Sequence, residues 1–173
     1  MKRVVAAVVL VAGTLGMAAA QPYPNKTIRL VTPYAPGGGT DIIARLLAQK
    51  LTENVGQSVV VENRTGGGGI VGTEVAARAA PDGYTLLMGT SGPLALNPNL
   101  YSKLPYDVQR DFSPIMLIAT APHLLAVHPS IPARTVKELI AVAKANPGKL
   151  TFSSGGNGGS SHLSGEMFNM LAG

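Results

Sequence analysis

The chain has 173 residues, 46% of them hydrophobic and 13% charged. That balance supports one domain or two small lobes with a core and excludes a disordered chain. With no cysteine, three histidines and a formal charge of +5 spread over scattered basic residues, the chain excludes disulfides and thiol nucleophiles. It offers no HExxH-like metal spacing and no basic, aromatic-interleaved patch for nucleic acid.

The first 20 residues form a unit of their own. Lys2 and Arg3 give a positive start, residues 4–15 an apolar run, and Ala18, Ala19 and Ala20 a small-residue cleavage pattern before Gln21. The run falls short of the roughly 20 apolar residues a membrane span needs. Residues 1–20 are therefore predicted to be a cleavable signal peptide, and the chain to be exported.

Residues 27–31 read as a strand, broken by the glycines and prolines of 33–39. Thr40 and Asp41 offer a helix start, and Ile42, Ile43, Leu46, Leu47 and Leu51 recur at helical spacing up to a stop at Gly56. Residues 58–61 are a second predicted strand, 63–69 a loop, 71–79 a small-residue helix, 81–83 a turn and 84–88 a third strand. Strand–helix–strand–helix–strand order predicts a parallel sheet with right-handed crossovers. Residues 93–114 are irregular, and 115–119 and 124–127 are predicted strands. Thr135 and Glu138 fit a capping box that opens a helix running to about Asn146. A strand over 150–153, a Gly/Ser loop over 154–161 and a helix over 162–171 complete the plan. An α/β unit begun near Ile115 lacks a closing strand, which predicts a fragment.

Two strand–loop–helix junctions carry the chemistry. One holds Tyr34, Ala35, Pro36, Gly37, Gly38, Gly39, Thr40 and Asp41; the other holds Ser154, Gly155, Gly156, Asn157, Gly158, Gly159, Ser160, Ser161 and His162. Glycine lets a ligand approach the backbone, and the free N–H groups of the following helix favour negative charge. In open α/β sheets such loops lie where ligands bind. A carboxylate held between two such ends needs no lysine or arginine. Asp41 is either a helix-start acid or a polar determinant for a ligand ammonium or hydroxyl. His162 is expected to bond its own loop, and His123 and His128 to be structural. Gly67, Gly69 and Gly72 match the bare dinucleotide fingerprint, but neither the first turn nor a later acidic residue supports it, and the P-loop is absent. Ser160 or Ser161 with His162 leaves an alternative open, an exported serine hydrolase, although there is no GxSxG elbow. A ligand-independent sensor or scaffold is a third reading.

Several segments together resemble the Bug-type periplasmic receptors of the tripartite tricarboxylate transporter system. They are Pro36-Gly37-Gly38-Gly39-Thr40-Asp41, Val61-Glu62-Asn63-Arg64 with its glycine run, Pro81-Asp82-Gly83-Tyr84-Thr85-Leu86 and Asn97-Pro98-Asn99-Leu100-Tyr101. Further matches are Leu104-Pro105-Tyr106-Asp107, Asp111-Phe112-Ser113-Pro114-Ile115, and Ser154-x-Gly156-x-Gly158 leading to His162-Leu163. The resemblance runs from about Tyr23 to the C-terminus. It implies a type II periplasmic binding protein fold: two α/β lobes with mainly parallel sheets, a first lobe over 21–114 and a second begun at 115–173 and incomplete in this chain. It implies no enzyme, no cofactor and no metal. The partners it implies are a small organic carboxylate and the membrane permease subunits, with the receptor itself a monomer. The implied site falls on Tyr34 to Asp41 and on Ser154 to His162, with Thr90 and Ser91 adding a hydroxyl. Gly159 departs from the family's usual Ser or Thr.

Overall fold

The computed structural model describes residues 22–173, so the signal-peptide expectation for 1–20 lies outside the described residues. Three strands, β1 (Ile28–Thr32), β2 (Val59–Asn63) and β3 (Thr85–Leu87), pair in parallel in the order β2-β1-β3. β1 sits in the middle, and its apolar residues are buried on both faces: Leu30 is 2% exposed and Val31 0%. A central parallel strand covered from both sides requires this pattern.

Helix α1 (Gly39–Val55) follows β1 and packs on β1 and β2. Ala44 and Ala48, four residues apart on one face, are small and buried, and they join Ile28, Leu30, Val59 and Met88 in the core. The helix stops at Gly56, whose φ of 70° and N–H bond to the Thr52 carbonyl form a left-handed cap. Helix α2 (Ile70–Ala77) follows a 3₁₀ turn (Gly67–Gly69) and packs on β1 and β3. It comes so close that a Cβ on Gly72 would lie 2.6 Å from the Arg64 carbonyl oxygen and from Pro33 Cα.

After β3 a π-helical turn (Gly92–Leu96) runs into the short helices α3 (Asn97–Leu100) and α4 (Val108–Asp111). Helix α5 (Val136–Ala145) opens on the expected capping box: Thr135 Oγ1 accepts the Glu138 N–H at 3.2 Å and Glu138 Oε2 accepts the Thr135 N–H at 3.2 Å. Helix α6 (Ser160–Ala172) begins two residues before its expected start.

Residues 115–119, 124–127 and 150–153, expected as strands, carry no regular secondary structure and join no ladder among the described residues. β-branched, apolar composition selects an extended backbone, while a strand also needs a neighbour to hydrogen-bond. No strand pairs with them among the described residues, and Ile115, Leu117 and Leu124 are 77%, 76% and 89% exposed.

At the end of the sheet where β1 and β3 begin, residues 23–26 are stapled down. The Tyr23 hydroxyl donates to the Gly83 carbonyl at 2.8 Å and its ring meets Tyr84 edge-on at 5.0 Å. The Asn25 N–H donates to the Tyr84 hydroxyl, and Lys26 pairs with Asp82 at 3.0 Å.

Candidate functional site

The strand order reverses at β1: the first crossover leads to β2 on one side and the second to β3 on the other. The loops leaving all three strands therefore meet at the carboxyl end of the sheet, the place where open α/β sheets bind ligands. Tyr34, just after β1, ties them together. Its hydroxyl lies 3.4 Å from the Gly68 carbonyl in the β2 loop and accepts from Thr90 Oγ1 in the β3 loop at 3.2 Å.

Between these loops lies a cavity of about 270 Å³ walled by residues 33–35, 65–69 and 155–157. Of the expected site residues it takes in Tyr34, Ala35, Gly156 and Asn157, and Thr90 reaches its edge through Tyr34. Pro36, Gly37, Gly38 and Ser91 are exposed outside its walls. The glycine run 66–69 is a wall that sequence reasoning missed, having weighed it only as a weak nucleotide fingerprint. All four of its residues have positive φ, from 56° to 134°, a conformation L side chains rarely adopt. A Cβ on Gly68 would overlap the Asn157 carbonyl. Consecutive glycines at the end of a predicted strand were the available signal.

Both helices that follow the expected junctions start without a side-chain cap. Gly38 precedes α1 and Gly159 precedes α6, and neither offers a side-chain acceptor. Among the described residues the N–H groups of Gly39 and Thr40, and those of Ser160 and His162, have no acceptor. They are free donors at positive helix ends. Neither first turn is among the cavity walls, which are loop backbone instead.

Asp41 is a buried carboxylate, 2% exposed, and its oxygens are fully engaged. Oδ2 accepts from Arg45 Nε and the Gly37 N–H, and Oδ1 from Asn63 Nδ2, each at 2.9 Å. The Arg45 guanidinium foremost, then these two N–H groups, lowers its pKa from 3.8 to about 2. Asn63 Nδ2 also donates to the Tyr34 carbonyl at 3.0 Å. Asp41 thus clamps α1, its loop and the end of β2, a structural role rather than a free partner for a ligand ammonium.

In the second junction Ser154 Oγ accepts the Gly156 N–H at 3.4 Å, and Ser161 Oγ accepts the Gly155 N–H at 3.1 Å. Gly158 is buried against Asn97 and Tyr101. His162 does not bond its own loop: its Nδ1 is buried without a partner, its ring stacks on Phe152, and Nε2 lies 3.6 Å from Glu166 Oε1. The loop bond comes from Ser161 instead. No hydrogen bond joins Ser160 or Ser161 to His162 among the described residues, so no nucleophile–base pair is formed. Among the described residues no group of three or more His, Cys, Asp or Glu could hold a metal, and no helix is long and apolar enough to cross a membrane.

Comparison with known proteins agrees with this architecture. Residues 43–173 match the family model described as the tripartite tricarboxylate transporter family receptor. The chain is 39% identical over 177 residues to the BugT protein of Bordetella pertussis, covering 100% of this chain and 54% of that protein. Among solved structures it is similar to R. palustris Rpa4515 with adipate (38% identity, TM-score 0.84, 87% of this chain and 50% of that one). It is also similar to MatC from Rhodopseudomonas palustris with bound malate (33% identity, TM-score 0.81, 87% and 50%). The chain spans about half the length of the curated relatives it matches. Its fold is that of the periplasmic binding proteins, and by the family match over most of its length it belongs to the tripartite tricarboxylate transporter receptors.

Proposed function

We propose that this chain is part of a periplasmic solute receptor that binds a small organic carboxylate and passes it to the permease subunits of its transporter, catalysing no reaction. The observation that carries the reading is the convergence of the loops after β1 and β2 and of the glycine loop 155–157 around one small cavity, with free N–H groups at the helix starts that follow the first and the last of these loops. Backbone donors at helix ends hold an anion without a cationic side chain, and no lysine or arginine lines the cavity. The adipate and malate held by two structural neighbours are of the same ligand class. The receptor is a two-lobed monomer in this reading, with residues 21–114 in the first lobe and 115–173 in the second. Closure of the lobes on the ligand supplies contacts that neither makes alone.

The test is thermal melting of the chain against acetate, benzoate, malate, adipate and citrate. At 100 times its Kd a bound acid stabilises the fold by about 2.7 kcal/mol, which is read as a rise in Tm for at least one class. A flat response to all five, with no small acid retained in native mass spectra, overturns the proposal.

A further inference from the structure

We propose that Asn157, in the wall of the cavity, is a site of spontaneous modification: the Gly158 amide converts it through a succinimide into aspartate or isoaspartate. A carboxylate then stands where the chain folded with a neutral side chain. Asn157-Gly158 is the one asparagine–glycine step in the sequence. Asn97 and Asn146 precede prolines, which have no N–H to close a ring. Asn54, Asn63 and Asn99 precede larger residues, and their side-chain amides donate to the Lys50 carbonyl, Asp41 Oδ1 and the Ala95 carbonyl at 2.7, 2.9 and 2.9 Å. Asn157 carries no such restraint. It is exposed, and among the described residues neither its side-chain amide nor the Gly158 N–H makes a hydrogen bond. Gly158 has no Cβ to shield its nitrogen, and the face the fold covers is the one a Cβ would occupy, against Asn97 Oδ1 and the Tyr101 hydroxyl. The analogous aspartate step, Asp82-Gly83, is held by the Tyr84 N–H and by Lys26, each at 3.0 Å.

The reaction is an intramolecular attack by neighbouring groups. The Gly158 nitrogen gives up its proton and bonds to Asn157 Cγ. The Cγ–Nδ2 bond breaks, and the amide nitrogen leaves as ammonia with that proton. Water then opens the ring at either carbonyl. Entry at Cγ leaves aspartate, and entry at the backbone carbonyl leaves isoaspartate, with the chain running through the former side chain. Both products carry one negative charge at neutral pH. No lysine or arginine lines the cavity to offset it. Resting on the proposed function, the consequence is that an acidic ligand meets a like charge in the wall and binds about tenfold more weakly.

The experiment ages the ligand-free chain in mildly alkaline buffer beside a free peptide of residues 153–161. Conversion at each asparagine is read by peptide mass spectrometry and by an isoaspartate-specific methyltransferase assay. The chain is expected to gain one negative charge on ion exchange, with the change located at Asn157, before the peptide has been fully converted. Asn157→Gln, whose ring would need one more methylene, is expected to lose this species. No conversion at Asn157 once the peptide is exhausted overturns the proposal, as does the same acidic species forming at an equal rate in Asn157→Gln. Malate and adipate are then titrated into Asn157→Asp and Asn157→Gln. Equal affinities overturn the charge effect. Should neither acid bind either variant, the receptor reading fails, while the mass spectra still decide the modification.

Discussion

Asp41 shows how one carboxylate can hold a site in place without touching what binds there. Its three donors come from the loop before α1, from α1 itself and from the end of β2, so protonating it loosens three segments together. Its pKa is lowered in the fold, so the stability it contributes is present above its ordinary 3.8 and is lost as pH falls through about 2. Glu62, held down foremost by Arg29, and Asp82, held down foremost by the Tyr84 N–H, add to acid sensitivity in the same direction. We predict that Asp41→Asn is less stable than wild type at pH 5 and that the gap narrows by pH 2, read from urea unfolding at each pH. An equal gap at both values contradicts the clamp. The sequence placed Asp41 in the first turn of α1 correctly but left its role open. Arg45 stands one helical turn on, as an i,i+4 partner should, whereas Asn63 comes to Asp41 only through the register of β1 with β2.

At the scale of elements, local signals were sufficient wherever the element is stabilised locally or by its sequence neighbour. The apolar spacing of α1, its Gly56 stop and the turn before β3 were all legible. So was the capping box of α5, two reciprocal bonds between residues three apart. Thr135→Ala removes one of them and should cost about 1 kcal/mol of helix stability, seen as faster exchange at residues 136–139 with little change in β1. Unchanged exchange there would mean the box contributes nothing. The runs at 115–119, 124–127 and 150–153 carry equally clear composition, but a strand is defined by its partner, and composition contains no information on who that partner is. The glycine run 66–69 failed in the opposite way. Its residues look alike whether they form a slack connector or a wall whose positive φ values and close approach to Asn157 leave no room for Cβ atoms.

For the whole molecule, burial is uneven along the chain. Every core side chain lies between Ile28 and Tyr106, while beyond Ser113 only Gly158 and Gly159 are buried. Regions with few buried contacts open at low free energy. Limited proteolysis is therefore expected to cut first between residues 113 and 134 and to leave a resistant piece containing the sheet and α1. Cleavage inside α1 or β2 at the same rate would refute this division. The match to receptors of about twice the length places the present chain across one binding-protein framework, with its glycine loops already in contact across the sheet's carboxyl end.

The staple formed by Tyr23, Lys26 and Tyr84 fixes where the chain's leading end departs. Strands β1 and β3 run from that pole toward the cavity, so residues 23–26 lie at the end of the sheet opposite the cavity. A tether, affinity tag or surface-immobilisation handle fused upstream would thus leave the mouth facing bulk solution. Attachment through the amino end is the orientation of choice for biosensor chips that must keep the binding loops unobstructed.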